Sequence, residues 1–174
     1  ADLMTIQEHK GKLSGLKLAY VGDASNNMAN SYLIGGATAG MHVAVAGPAN
    51  YLPDATIVAR AELIAEQTGG SISVHSEPTS AIAEADVVVT DTWISMGQES
   101  GKEQRLRDFA GYTIDEALFG HAKEDAIFMH CLPAYRGYEV SAEVLDGPRS
   151  VIWDEAENRL HAQKALMTWL AEQA

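Results

Sequence analysis

Four polar stretches in this chain each follow a short apolar run, and together they hold the side chains best able to do chemistry: "GDASNNMANS" (22–31), "DTWISMGQE" (91–99), "HCLPAYRG" (130–137) and "DEAENRLHAQKALM" (154–167). In the first, backbone donors at a helix start suit an anion such as a carboxylate, and the amides of Asn26 and Asn27 can donate and accept beside it. Helix capping by Ser25 or Asn26 accounts for the same residues equally well. In the second, Asp91 at a strand end, followed by Ser95 and Met96 on a glycine-containing loop, can accept hydrogen bonds from an ammonium group. Asp at a strand end also caps turns, and Trp93 reads as packing.

The third stretch carries the only cysteine of the chain, Cys131. Pro133 lacks an N–H and pushes Leu132 toward extended geometry, so the segment is expected to turn off the sheet with the thiol near its rim. A rim thiol beside positive charge is activated; a lone Cys on an apolar strand is otherwise a core residue. His130 finds no spacing partners for a metal set, and neither Gly-x-Ser-x-Gly nor a Ser-His-Asp order is present. In the fourth stretch Asp154, Glu155 and Glu157 suit a helix start, whereas Arg159, read as lying in the first turn, opposes the dipole unless an anion sits close. The alternative is a pair with Glu155 one turn earlier.

These stretches need strands to deliver them. The apolar runs 16–22, 41–47, 71–76, 86–91, 126–131 and 150–155 are rich in Val, Ile and Ala without polar alternation. That pattern predicts strands buried on both faces of a parallel sheet. Helical patterns occupy 26–39, 55–69, 78–85 and 156–173, and a further one begins at Asp2. Alternation of this kind predicts an α/β three-layer, doubly wound Rossmann-like fold, with ligands at the carboxyl ends of the strands. Only Gly22 stands where a dinucleotide site needs G-x-G-x-x-G. Segment 95–113, broken by Gly97, Gly101 and Gly111, is the least regular and reads as a flap.

The 174 residues form one domain without an internal boundary, and the net charge of −12 disfavours a nucleic-acid partner while tolerating a small cationic substrate. One Cys forbids an internal disulfide and fits a reducing compartment. No run approaches the roughly 18 apolar residues of a membrane span, so a cytoplasmic, membrane-free protein is expected. The chain opens on Ala with helical pattern at once, which reads as a piece of a longer chain or a processed terminus.

The four stretches, in this order and at about this spacing, resemble the second half of ornithine carbamoyltransferases over essentially the whole chain. The family's Ser-x-Arg-Thr-Arg and His-Pro-x-Gln segments, which serve carbamoyl phosphate, do not occur here. The resemblance therefore implies an ornithine-binding domain spanning 1–174 without its N-terminal carbamoyl phosphate-binding domain, and little turnover alone. It implies that Asn27, Asp91, Ser95 and the Met96 backbone bind the amino-acid end of L-ornithine. Cys131 and the Leu132 backbone would sit at the junction with the carbamoyl group, and Arg159 would reach carbamoyl phosphate; Asn26 is the weaker carry-over. No metal or other cofactor is implied.

Carbamoyl transfer to ornithine, giving citrulline, needs a neutral amine, yet an alkylamine has a pKa of about 10. Asp91 would hold the α-ammonium or orient the side-chain nitrogen, and Cys131 would position the amine or accept its proton as a thiolate. Arg159 would polarise the carbamoyl oxygen. Full-length members are trimers, through contacts lying largely in the half not found here. An apolar surface drawn from Leu3, Ile6, Met167, Trp169 and Leu170 is expected to be exposed or covered by self-association. A non-catalytic amino-acid-binding or regulatory module on the same fold is the alternative; aspartate, putrescine and acetylornithine variants fit the "SMG" loop and the residue after His130 less well.

Overall fold

The computed structural model describes residues 1–94 and 101–173. In chain order the elements are α1 (Asp2–Lys10), β1 (Lys17–Val21), α2 (Asn27–Thr38), β2 (His42–Ala46), a 3₁₀ turn (Ala49–Tyr51), α3 (Ala55–Thr68), β3 (Ser71–His75), α4 (Pro78–Ile82) and β4 (Val87–Thr90). There follow α5 (Lys102–Asp108), α6 (Glu116–Phe119), β5 (Ile127–His130), α7 (Ala142–Leu145) and α8 (Ile152–Glu172). The strands are all parallel, in the order β3-β2-β1-β4-β5, with Leu18 opposite both Val43 and Val87. Strand order reverses between β1 and β4, so the crevice a doubly wound sheet offers to ligands opens at the carboxyl ends of those two strands.

The strands read as unbroken apolar runs because each feeds two cores. Leu18, Tyr20, Val43, Val45, Val87, Val89, Ile127 and Met129 pack under α1, α2 and α3. Their neighbours Ala19, Val21, Ala44, Ala46, Val88 and Phe128 pack on the other face with Ile82, Phe119 and Leu145 from α4, α6 and α7. Successive side chains point to opposite faces, so burial on both leaves no room for polar alternation. Small residues let the layers approach: a Cβ on Gly36 would stand 2.5 Å from Val43 Cγ2, so α2 lies closer to β2 than any larger residue would allow. β3, at the sheet edge, is the exception and is partly exposed.

The expected sixth strand is not one. Segment 149–151 bonds to Phe128, with a single bridge between Phe128 and Ser150 and a 3.0 Å bond from Val151 N–H to the Phe128 carbonyl, and the chain then turns helical at Ile152. Asp154 sits in that first turn, where its negative charge offsets the exposed N–H groups and favours helix over strand. The α8 core contacts are Ile152, Glu155 and Asn158, three residues apart along one stripe. Beyond them Leu160, Leu166, Met167, Trp169 and Leu170 are exposed, Met167 at 72%. Of the expected apolar surface, Ile6 is instead fully buried, Leu3 is half-buried, and the residues of α8 are exposed. Among the described residues no helix is long and apolar enough to cross a membrane.

Candidate active site

β1 and β4 are locked together at their ends, where Thr90 Oγ1 donates to the Val21 carbonyl at 2.6 Å. Gly22 follows with φ 140°, a conformation that side-chain-bearing residues avoid, and a Cβ there would also press on Thr90 Oγ1 at 3.2 Å. The turn places Asp23, whose Oδ1 accepts from Ser25 N–H and Oγ, while its Oδ2 receives the Arg105 guanidinium at 2.7 Å. Arg105 also donates to the Trp93 carbonyl at 2.9 Å and lies over the Tyr51 ring. Phe109, just past α5, stacks on Trp93. α5 is thus fastened across the ends of both strands, although its sequence reads as irregular.

Asn26 caps α2, its Oδ1 accepting from Ala29 N–H at 2.8 Å. Its amide nitrogen donates to the Tyr20 hydroxyl at 3.0 Å and to Asp91 Oδ2 at 3.3 Å. Capping and contact with the site are therefore done by one side chain. Asn27 begins α2 with its side chain exposed. Asp91, 9% exposed, takes Thr92 N–H on Oδ1 at 2.7 Å, and the same oxygen accepts from Cys131 Sγ at 3.2 Å. Burial, reinforced by Asp91, pushes the Cys131 thiol well above its ordinary value, which keeps it protonated and a donor. Ser95 and Met96 lie outside the described residues.

Leu132 is not extended: its φ is 56°, in the left-handed region. Its N–H turns back to His130 Nδ1 at 2.9 Å, which bends the chain off the end of β5. His130 is fully buried; its Nε2, the protonated nitrogen in this arrangement, faces Glu139 Oε1 at 3.3 Å. Glu139, also buried, accepts the Tyr135 N–H and so anchors the loop after Pro133. Asp91, His130 and Cys131 are the only His, Cys, Asp or Glu group among the described residues compact enough to suit an ion, within 4.8 Å of one another. His130 Nδ1 accepts the Leu132 N–H and the thiol donates to Asp91, so these donors are already engaged within the protein.

Arg159 stands in the third turn of α8, not the first, because the helix begins at Ile152. It does not pair with Glu155, whose carboxylate points inward to the His130 N–H at 2.8 Å. Arg159 and Cys131 instead face one cleft of about 310 Å³, with Met28, Asp2 and Gln163 among its walls. A larger, shallower recess of about 730 Å³ near Glu77, Asp115 and His121 contains none of these strand-end groups. Cys131 and Arg159 thus meet at one opening, with Asp91 and Asn26 directly behind the thiol.

Residues 14–170 match the family model for the Asp/Orn-binding domain of aspartate/ornithine carbamoyltransferases. The chain belongs to the aspartate/ornithine carbamoyltransferase family. It is 59% identical over its full length to an ornithine carbamoyltransferase of Clavibacter sepedonicus and covers 57% of that protein. The ornithine carbamoyltransferase of Pyrococcus furiosus superposes with a TM-score of 0.91 at 49% identity, over 95% of this chain and 53% of that one. The anabolic ornithine carbamoyltransferase of Campylobacter jejuni gives 0.89 at 44%, over 99% of this chain and 57% of that one. The chain thus spans about half the length of the carbamoyltransferases it matches.

Several residues that hold this family member's site together escaped the sequence reading. Glu155 was legible only as a helix-start acid or a partner for Arg159, and Asn158 not at all, yet both are buried, and Asn158 donates to Thr5 Oγ1 and Glu8 Oε2 of α1. Their three-residue spacing from Ile152 was the available signal. Asp2, which accepts from the Tyr32 hydroxyl at 2.7 Å, and Arg105 gave no local signal at all.

Proposed function

We propose that this chain is the ornithine-binding domain of an ornithine carbamoyltransferase that moves the carbamoyl group of carbamoyl phosphate to the side-chain amine of L-ornithine. The observation that carries the reading is the convergence of Asp91, Cys131 and Arg159 at the strand ends, Cys131 and Arg159 on one cleft. Identity of 59% to an ornithine carbamoyltransferase supports ornithine as the acceptor. The remaining part of the enzyme, corresponding to the length of the relatives not matched here, supplies the phosphate site. The reaction is cytoplasmic and belongs to arginine biosynthesis.

In this reading Asp91 receives an ammonium of ornithine, and the protonated Cys131 holds the carboxylate in place instead of acting as a resident base. Asn27, Ser95 and the Met96 backbone complete the amino-acid site, and the Leu132 backbone meets the carbamoyl group. The deprotonated side-chain nitrogen attacks the carbonyl carbon, the bond to the phosphate oxygen breaks with its electron pair leaving on phosphate, and the nitrogen passes a proton to the departing phosphate. Arg159 stabilises the negative charge that grows on the carbamoyl and phosphate oxygens. Most of the acceleration comes from holding the two substrates in line.

The test is citrulline formation by this chain alone and by a chimaera joining it to the unmatched part of the Clavibacter sepedonicus relative. Turnover by the chimaera and none by the chain alone is expected. Turnover by the chain alone would place the phosphate site within it, and a folded but silent chimaera would remove the carbamoyl-transfer reading.

A further inference from the structure

The cleft is assembled from two elements, and one buried side chain ties them. Cys131 follows the last residue of β5, whereas Arg159 projects from α8. Glu155 Oε2 accepts the His130 N–H at 2.8 Å, directly before Cys131 in the chain. On the helix side Glu155 precedes Arg159 by four residues, one turn along the same face. Each end of this single hydrogen bond is therefore one step from a group on the cleft wall.

The tie is made with a costly group. Glu155 is only 2% exposed, and its second oxygen, Oε1, is buried with no hydrogen-bond partner among the described residues. Burying a carboxyl with half its hydrogen-bonding capacity unmet is unfavourable. The remaining backbone links between the two elements, through Phe128 to Arg149 and Val151, lie before the helix begins; Ile152 packs with Phe128 at the helix start, and Glu155 adds a hydrogen bond from within the helix to β5. Asn158, three residues further along the same stripe, fixes the helix to α1.

Resting on the proposed function, we infer that Glu155 is a positioning residue for carbamoyl transfer: its bond to the His130 N–H sets the separation of Cys131 and Arg159, and so the alignment of amine with carbamoyl donor. It touches neither substrate. Its contribution falls on the chemical step, because misalignment of bound reactants costs rate more than affinity.

The experiment uses the full-length enzyme that the proposed function implies, with Glu155→Ala, Glu155→Gln and Glu155→Asp, steady-state citrulline kinetics for both substrates, and circular dichroism to confirm folding. Glu155→Ala is expected to lower kcat by about tenfold or more with each KM within about threefold, since displacements of ~1 Å cost up to about a hundredfold. Glu155→Gln keeps an oxygen for the His130 N–H and is expected to recover most of that kcat. If Glu155→Ala does not fold, Glu155→Asp decides: one methylene shorter, it must lower kcat at unchanged KM. A folded Glu155→Ala (or, in its place, Glu155→Asp) with wild-type kcat overturns the inference, as does Glu155→Gln impaired as severely as Glu155→Ala. An unmutated enzyme that forms no citrulline overturns the proposed function itself; normal wild-type turnover with an indifferent Glu155 overturns this inference alone.

Discussion

Cys131 Sγ donates to Asp91 Oδ1 at 3.2 Å, joining the ends of two adjacent parallel strands through residues forty positions apart in the chain. The bond fixes the thiol as a donor and leaves Asp91 as the acceptor at the crevice. As the only cysteine, Cys131 gives an unambiguous chemical readout. Its alkylation by iodoacetamide at pH 8 is expected to be at least about tenfold slower than that of a free thiol with a pKa of about 8.5. Asp91→Asn removes the neighbouring negative charge and is expected to speed alkylation at every pH. Equal rates in the two proteins would mean that Asp91 does not control the thiol.

Glu155 makes stability depend on pH. Burial, reinforced by Asp2 and opposed by the bond from the His130 N–H, raises its carboxyl from about 4.5 to about 8. The folded state holds this proton more tightly than the unfolded chain does. The contribution is therefore fully present below about pH 4.5 and is lost as pH rises toward 8, by roughly 1.4 kcal/mol per unit of separation at most. Glu155→Gln does not titrate, so its Tm relative to the unmutated chain should climb across that window and level off above it. A constant difference from pH 4.5 to 8 would contradict the assignment.

Asn26 serves the helix and the site with different atoms. Asn26→Ala is expected to cost about 1 kcal/mol through the lost cap, measured by urea unfolding, and to weaken ornithine binding. Asn26→Ser keeps a capping oxygen but cannot reach Asp91, so stability should be retained while ornithine affinity falls. If both variants bind ornithine as the unmutated chain does, the Asn26–Asp91 contact has no part in recognition.

Arg105 and Asp23 form an ion pair in which both side chains are largely shielded. Removing the guanidinium strands a buried carboxylate and loses the Trp93 carbonyl bond and the contact with the Tyr51 ring, so Arg105→Ala should lower unfolding stability by about 2 kcal/mol. Arg105→Lys should lose part of this, since an ammonium cannot serve Asp23 and the Trp93 carbonyl with the same fixed geometry. A loss below about 0.5 kcal/mol, the usual size for surface sites, would show that α5 is held by packing alone.

The fold was readable where local pattern and global burial agree. Residues 87–89 and 127–129 are apolar because both faces are covered, and helices between strands carry their own caps, as at Asn26 and Asp54. The failure at 150–155 arose because Val151 and Ile152 are buried as strand residues would be, while the acidic first turn of α8 had already set helical geometry. That error carried Arg159 four residues, about one turn, too near the helix start. At Leu132 the local rule for a residue before proline lost to a hydrogen bond with His130. The pairing of Glu155 with His130, and of Arg105 with Asp23, joins residues 25 and 82 positions apart, which no local pattern records.

The central claim is that the crevice at Asp91 and Cys131 receives ornithine, and amide chemical shifts of this chain titrated with millimolar L-ornithine test it most directly. Saturable shifts are expected to centre on Asp91, Cys131 and Leu132 and to vanish in Asp91→Asn. An unperturbed spectrum, or shifts centred elsewhere and unchanged by Asp91→Asn, would contradict it.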